Sequence, residues 1–247
     1  MSRLLTSGKL GIVFALPQEE RGFRQVLSES HLSSRKRGRQ EVWFVGNVEA
    51  TVEISGIGRD LCAEATERLI DRGAQWIVSA GFAVALDKDL TVGDIVVANR
   101  VLLSESPPIT GDDTLTEAVP PSGTLGYAIR RCDLVTSDAV VCKSSDKRRI
   151  RTHTGAGALD MESYAAAQVC RRRDVPFSAI RSISDTADQD IPQDISQLVS
   201  MESPLKRAGF ILTRPLLWKQ MLTLRSQAQS AATNLGDVLG IMLLRLI

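Results

Sequence analysis

The chain has 247 residues, of which 43% are hydrophobic and 24% charged, a composition typical of a globular protein with one large buried core. Its 30 basic and 29 acidic residues leave a net charge of +1, which argues against nucleic acid as a partner. Four cysteines without a C-x-x-C pair and only two histidines argue against a disulfide framework or a metal site, so we expect free thiols in the cytoplasm and acid–base chemistry that depends on Asp and Glu.

Apolar runs and turn residues divide the first part of the chain into strands and helices. Residues 9–16 form a continuous apolar run that predicts a buried strand, and Pro17 followed by acidic residues predicts the start of a helix. Residues 41–45 and 50–55 predict a hairpin around a Gly-Asn turn. The basic stretch at residues 33–40 predicts a solvated loop before that hairpin.

The same alternation continues to about residue 184. Further strands are predicted at residues 76–80, 93–103, around 134–135 and 176–184, and helices at 60–72 and 159–172. Residues 81–83 and the Pro-, Gly- and Thr-rich stretch 104–126 predict loops. Strands alternating with helices predict a largely parallel sheet covered on both faces. Because ligands bind beyond the carboxyl ends of such strands, the candidate sites are residues 15–19, 80–83 and 182–185.

A glycine turn lies between a predicted strand and a predicted helix. Gly56 and Gly58 half-match the dinucleotide-binding pattern G-x-G-x-x-G, but Leu61 replaces the third glycine and the acidic residue expected about 20 residues later is missing. This argues against a dinucleotide enzyme. The N–H groups of such a turn can still bind an anion, with Arg59 adding positive charge. The alternative is a tight turn with a surface arginine.

Two carboxylates, Glu162 and Asp185, lie at positions that either a structural or a functional role would explain. Glu162 lies near the start of a predicted helix, where it stabilises the helix dipole or, alternatively, accepts hydrogen bonds from the two hydroxyls of a ribose. Asp185 follows an apolar strand, where it is a helix N-cap or, alternatively, a catalytic acid. The residues alone leave both alternatives open.

These motifs together resemble the purine nucleoside phosphorylase superfamily, and most of all its methylthioadenosine/S-adenosylhomocysteine nucleosidase branch. The resemblance covers roughly residues 10–189 and rests on five segments in the family's order: LGIVFALPQEE, VEISGIGRDLCAEAT, WIVSAGFAVALDKDLTVGDIVVA, ALDMESYAAAQVC and VPFSAIRSISDTAD. It implies a three-layer α/β/α fold with a mostly parallel mixed sheet. It also implies a homo-oligomeric enzyme, such as a homodimer, that cleaves the N-glycosidic bond of a purine (adenine) nucleoside. The bond would be cleaved by water, as in a nucleosidase, or by inorganic phosphate, as in a phosphorylase, without a cofactor.

The resemblance implies roles for individual residues. Glu19 corresponds to the carboxylate that activates water, Asp185 to the acid that protonates purine N7, and Met161 with Glu162 to the ribose-binding pair. Protonation makes the purine a neutral leaving group, and carboxylates near the sugar stabilise its developing positive charge. The remaining candidates are Phe82, Val140 and Val141 for substrate binding, and Arg59 and Arg21 for phosphate binding.

Three positions depart from the family pattern. Phe82 replaces the family's serine, Val84 replaces a glycine, and Val140 replaces the aromatic residue that stacks on the base. These changes leave open a second hypothesis, a nucleoside-binding protein on the same fold that has lost turnover.

The C-terminal part of the chain differs from the nucleosidase pattern. We predict a catalytic domain at residues 1–190 and a helical extension at 191–247, packed on the domain or on a partner subunit. The extension resembles that of hopanoid-associated phosphorylases, which implies a lipid-linked adenosine as an alternative substrate. A helix bearing Leu and Arg is compatible with contact to a membrane surface, but packing on the protein is the favoured interpretation.

Overall fold

The computed structural model describes residues 7–30, 33–37, 40–191 and 215–246. The strands are β1 (Gly8–Phe14), β2 (Ser33–Arg37), β3 (Gln40–Val45), β4 (Val48–Ile54), β5 (Trp76–Ala85), β6 (Ile95–Leu102), β7 (Ile109–Thr110), β8 (Ile129–Thr136), β9 (Ala158–Asp160) and β10 (Phe177–Asp185). The helices are α1 (Pro17–Glu29), α2 (Arg59–Asp71), α3 (Asp113–Glu117), α4 (Ser144–Thr154), α5 (Ser163–Arg173) and α6 (Pro215–Leu246).

These strands join in one mixed sheet, as predicted. Strand β1 pairs in parallel with β4 and β5, β5 pairs in parallel with β10, and β8 pairs in parallel with β6 and β9. Strands β2, β3 and β4 form an antiparallel edge. Since β1, β5 and β10 are adjacent and parallel, their carboxyl ends lie side by side at one edge of the sheet.

The sheet closes on itself around β5, which the sequence did not predict. The first residues of β5 pair with β1, its last two pair with β9, and its other edge pairs with β10. The order β5, β10, β6, β8, β9 therefore returns to β5 as a closed ring. Residues 81–83, predicted as a loop, lie inside this long strand, because a glycine can continue a strand where another group approaches closely.

Helices pack on both sides of the sheet, which confirms the predicted α/β fold class. Alternate β1 residues face opposite sides, since successive side chains of a strand point in opposite directions. Ile12 packs in one core cluster with Phe23 of α1 and Leu239 of α6. Val13 packs in the other cluster, with Leu69 of α2 and with residues of α5.

Several local predictions are wrong, each for a physical reason. Residues 33–37 form strand β2 and not a loop, because pairing with β3 overrides the low β-propensity of a basic stretch. The predicted loop at residues 104–126 contains β7 and α3, which are too short to produce a periodic pattern. Helix α5 begins at residue 163 and not at 159, because residues 158–160 form the sheet strand β9.

Helix α6 packs directly against α1. The two helices touch through glycines: a Cβ added at Gly22 would lie 1.9 Å from the carbonyl oxygen of Ala232, and one added at Gly236 would lie 2.2 Å from the backbone of Gly22. Residues 192–214 of the predicted extension lie outside the described residues, so the domain boundary at residue 190 stays a prediction. Within the described part, no helix combines the length and apolar character needed to cross a bilayer.

Candidate active site

Glu19 is buried at the start of α1, directly beyond the carboxyl end of β1. Its Oε2 accepts hydrogen bonds from the backbone N–H groups of Ala15 (2.9 Å) and Leu16 (2.7 Å). Its Oε1 accepts one from the N–H of Phe82 in β5, at 2.8 Å. Burial raises the pKa of Glu19, while the Phe82 N–H and the positive charge of Arg181 oppose the rise. The carboxylate is thus held rigidly and is a stronger base than an exposed glutamate.

Gly81 makes room for this carboxylate. A Cβ added at Gly81 would lie 2.7 Å from Oε1 of Glu19 and 3.1 Å from its Cδ, closer than a side chain tolerates. The backbone of β5 therefore approaches Glu19 closely because residue 81 lacks a side chain. This contact explains why a glycine occurs inside a buried strand.

Glu162 is the N-cap residue of α5, and it contacts the glycine turn before α2. Its Oε1 accepts a hydrogen bond from the N–H of Gly58 at 2.8 Å, and its Oε2 accepts a longer one from the N–H of Met161 at 3.3 Å. Burial and the nearby charge of Asp160 raise the pKa of Glu162 to about 7. The glycine turn, considered above as an anion site, is therefore occupied by a carboxylate of the protein itself.

Arg181 is a buried cation whose charge acts on both of these carboxylates, and sequence reasoning gave it no role. Its side chain is 2% exposed, and its guanidinium pairs with Asp160 at 2.7 Å. It also donates to the hydroxyls of Ser79 and Ser163, at 2.8 Å each. Its charge acts on Glu19 and Glu162 as well. The available signal was an arginine in the middle of a predicted strand, since an isolated buried cation requires partners.

Asp185 ends β10, next to the carboxyl end of β5. The residue is 2% exposed; its Oδ1 accepts a hydrogen bond from the hydroxyl of Ser184 (2.7 Å), and its Oδ2 is 2.7 Å from Nζ of Lys147. Burial raises the pKa of Asp185, and the Lys147 charge opposes that rise. Asp185 is the last residue of the strand and no helix begins there, so the N-cap alternative is wrong. Lys147 lies on α4, a helix that the sequence analysis did not predict.

The other predicted residues fall into two groups. Phe82, Met161 and Val140 are half-buried, and Val141 packs into a small apolar cluster that includes Leu159. Their assignment to substrate binding stays a prediction.

Of the two candidate phosphate ligands, Arg59 is paired with another side chain and Arg21 is exposed. The Arg59 guanidinium forms a two-point ion pair with Asp138, at 2.5 and 2.9 Å. Arg21 is exposed on α1.

The arrangement places chemically active carboxylates around the carboxyl ends of three adjacent parallel strands. Glu19 follows β1, Phe82 lies in β5 and Asp185 ends β10. Glu162 and Arg181 act electrostatically on one another, and the Arg181 charge also acts on Glu19. Such a site can accept hydrogen bonds from hydroxyl groups, stabilise positive charge, and exchange protons with a substrate through groups of raised pKa.

Comparison with known proteins identifies the family to which the chain belongs. The phosphorylase superfamily model matches residues 9–204. A methylthioadenosine/S-adenosylhomocysteine nucleosidase of Shewanella sediminis is 31% identical over 60% of this chain and 74% of its own length. The Mycobacterium bovis protein of the same name is 27% identical over 77% of this chain and 90% of its own length. The crystal structure of the Neisseria meningitidis nucleosidase with methylthio-immucillin-A superposes with a TM-score of 0.73, at 22% identity, over 96% of this chain and 99% of that one. The chain belongs to the phosphorylase superfamily.

Proposed function

We propose that this protein is a nucleosidase that hydrolyses the N-glycosidic bond of an adenine nucleoside of the methylthioadenosine class. The relatives named above confirm the predicted activity class, N-glycosidic cleavage of a purine nucleoside by an enzyme. The observation that carries hydrolysis is Glu19, a buried carboxylate fixed by three backbone N–H groups. Its proposed role is to orient and deprotonate the attacking water.

Glu162 supports binding of the sugar. Its carboxylate oxygens lie at the N-terminus of α5 beside Met161, and one oxygen is fixed by Gly58. A carboxylate can accept a hydrogen bond on each oxygen, so it suits the two neighbouring hydroxyls of a ribose. The negative charge also favours the oxocarbenium-like sugar that forms as the bond breaks.

Asp185 supports departure of the base. When the C1′–N9 bond breaks, its electron pair passes to the purine, and a proton from the Asp185 carboxyl group passes to N7. The raised pKa of Asp185 favours the protonated form that this step requires. Water then adds to C1′ and gives its proton to Glu19, which completes the hydrolysis.

Water is favoured over phosphate as the second substrate by the charge of the site. Glu19, Glu162 and Asp160 face one buried cation, Arg181. A phosphate dianion placed among these groups would meet a net negative charge, which disfavours its binding. Since Arg59 is already paired with Asp138, it would have to give up that partner to bind phosphate.

Location and assembly complete the proposal. Cys62 and Cys170 are buried thiols that form no disulfide, which supports a reducing, cytoplasmic location. Ile54 and Leu61 are exposed by 39% and 46% on either side of the glycine turn, which supports a subunit contact in a homodimer. Light scattering of the purified protein would then give twice the chain mass, and a monomer would contradict this part of the proposal.

The proposal is tested by incubating the protein with methylthioadenosine, with and without phosphate, and measuring released adenine by liquid chromatography. We expect release without phosphate and no stimulation by it. Glu19→Gln should lose at least about 100-fold in kcat, whereas Glu20→Gln, the neighbouring carboxylate that pairs with Arg24, should retain activity. Release only with phosphate would contradict hydrolysis. Absence of release together with a melting shift on adding adenine would support the binding-protein alternative.

A further inference from the structure

Lys147 is a completely buried cation that the proposed reaction has not yet used. Its side chain is 0% exposed. Its Nζ donates to Oδ2 of Asp185 at 2.7 Å, to the carbonyl oxygen of Thr186 at 2.7 Å, and to that of Gln189 at 2.8 Å. An ammonium group has three donors, so these contacts use all of them.

The position of Lys147 differs from that of the other basic residues on its helix. Arg148 and Arg149, which follow it directly, are exposed. Removing an ammonium group from water carries a large free-energy cost unless its partners compensate fully. A lysine that turns inward and finds three acceptors therefore serves a purpose that an exposed residue would not.

Anchoring of the segment after β10 does not by itself account for this contact. That segment is also held to the start of α4 by two other hydrogen bonds. The N–H of Ser144 donates to Asp190 Oδ1 at 2.7 Å, and the N–H of Ile191 donates to the carbonyl oxygen of Cys142 at 2.8 Å. What Lys147 adds to these anchors is a positive charge against the carboxyl group of Asp185.

Together with Ser184, Lys147 fixes the orientation of that carboxyl group. The Ser184 hydroxyl holds Oδ1 and Lys147 holds Oδ2, so rotation of the group would break one or both contacts. A proton that must reach one ring nitrogen of a bound purine requires such a fixed donor, because proton transfer depends on hydrogen-bond geometry.

Resting on the proposed function, we infer that Lys147 is a positioning residue: it orients the Asp185 carboxyl group and stabilises the carboxylate that remains once the proton has passed to the purine. In this step the C1′–N9 electron pair moves to the purine, the Asp185 proton moves to N7, and Asp185 becomes an anion. Lys147 keeps its own protons throughout. Solvent returns a proton to Asp185 after the purine has left.

The inference is tested by comparing two substrates that differ in their need for a proton. Methylthioadenosine requires protonation of its leaving group, whereas a p-nitrophenyl glycoside of 5-methylthioribose releases a stable anion without it. Lys147→Met should lower kcat for methylthioadenosine by about 100-fold or more and change kcat for the nitrophenyl glycoside by less than about threefold. Asp185→Asn should show the same selectivity. Arg148→Met, which removes an exposed charge from the same helix, should match the wild type on both substrates.

Each result separates the alternatives. An equal loss on both substrates would show that Lys147 acts only on the fold, and an unchanged rate on both would show that it has no role; either result overturns the inference. If Lys147→Met does not fold, Lys147→Gln, whose amide still offers donors to the two carbonyl oxygens, is measured in the same way. If the wild type releases no adenine from methylthioadenosine yet cleaves the nitrophenyl glycoside, the proposal of a purine substrate is wrong. The inferred role of Lys147 in proton transfer to the purine is then wrong as well.

Discussion

The substitution Glu162→Gln tests how the negative charge of Glu162 affects the free energy of unfolding. Burial and the nearby Asp160 raise the pKa of Glu162 from 4.5 to about 7. The folded protein binds this proton more tightly than the unfolded chain does. Glu162 therefore leaves the free energy of unfolding unchanged below pH 4.5 and lowers it progressively as the pH rises to 7. One pKa unit corresponds to about 1.4 kcal/mol, so ionised Glu162 lowers the free energy of unfolding by about 3 kcal/mol above pH 7.

Glutamine cannot ionise, so the variant escapes this cost. Between pH 5 and pH 8, the free energy of unfolding of Glu162→Gln should rise relative to the wild type by about 2 kcal/mol. Urea unfolding followed by tryptophan fluorescence measures this difference at each pH. Glu64→Gln, which changes a carboxylate on α2 with a 66% exposed side chain, should show no such trend. If the difference between Glu162→Gln and the wild type is the same at both pH values, the buried charge assigned to Glu162 is refuted.

Three further substitutions test the geometry of the site and its supports. Gly81→Ala should lower kcat for adenine release by about 100-fold with an unchanged circular dichroism spectrum, because its methyl group displaces Glu19; an unchanged kcat would show that this carboxylate tolerates movement. Gly22→Ala should lower the free energy of unfolding by about 1–3 kcal/mol in urea, since its methyl meets an α6 carbonyl oxygen. Gly126 has open space around it, so Gly126→Ala should change the free energy of unfolding by less than about 0.5 kcal/mol. Equal losses of stability for Gly22→Ala and Gly126→Ala would contradict the close helix contact. Arg181→Met should cost about 3–5 kcal/mol by leaving buried carboxylates without a cation, and a loss below about 1 kcal/mol in urea unfolding would contradict its central role.

The sequence predicted those elements whose pattern is set locally. Strand β1 and helix α1 follow from an apolar run that ends at Pro17, and the hairpin of β3 and β4 follows from its Gly-Asn turn. Strand β2 and the closure of the sheet around β5 depend on which strands pair. Pairing is decided by contacts distant in sequence, so periodicity could not show them. Helix α4 was missed because its residues are almost all polar and its buried residue is a lysine, Lys147.

The candidate site was predicted in part, for a related reason. Glu19, Glu162 and Asp185 were proposed because they lie at strand and helix ends in motifs that resemble a known family. Arg181 and Lys147 were not assigned because their meaning depends on partners that lie elsewhere in the chain: Asp160 for the arginine and Asp185 for the lysine. The role of a buried charged residue can be predicted from a sequence only when its partner is known.

The central claim is that a water molecule positioned by Glu19 attacks C1′ of the sugar, so that the bond is hydrolysed. The most direct measurement is the mass of the sugar product when the protein acts on methylthioadenosine in phosphate buffer. We predict free methylthioribose as the product at every phosphate concentration, formed at least about 100-fold more slowly by Glu19→Gln. Formation of methylthioribose 1-phosphate, or an unchanged rate for Glu19→Gln, would contradict the claim.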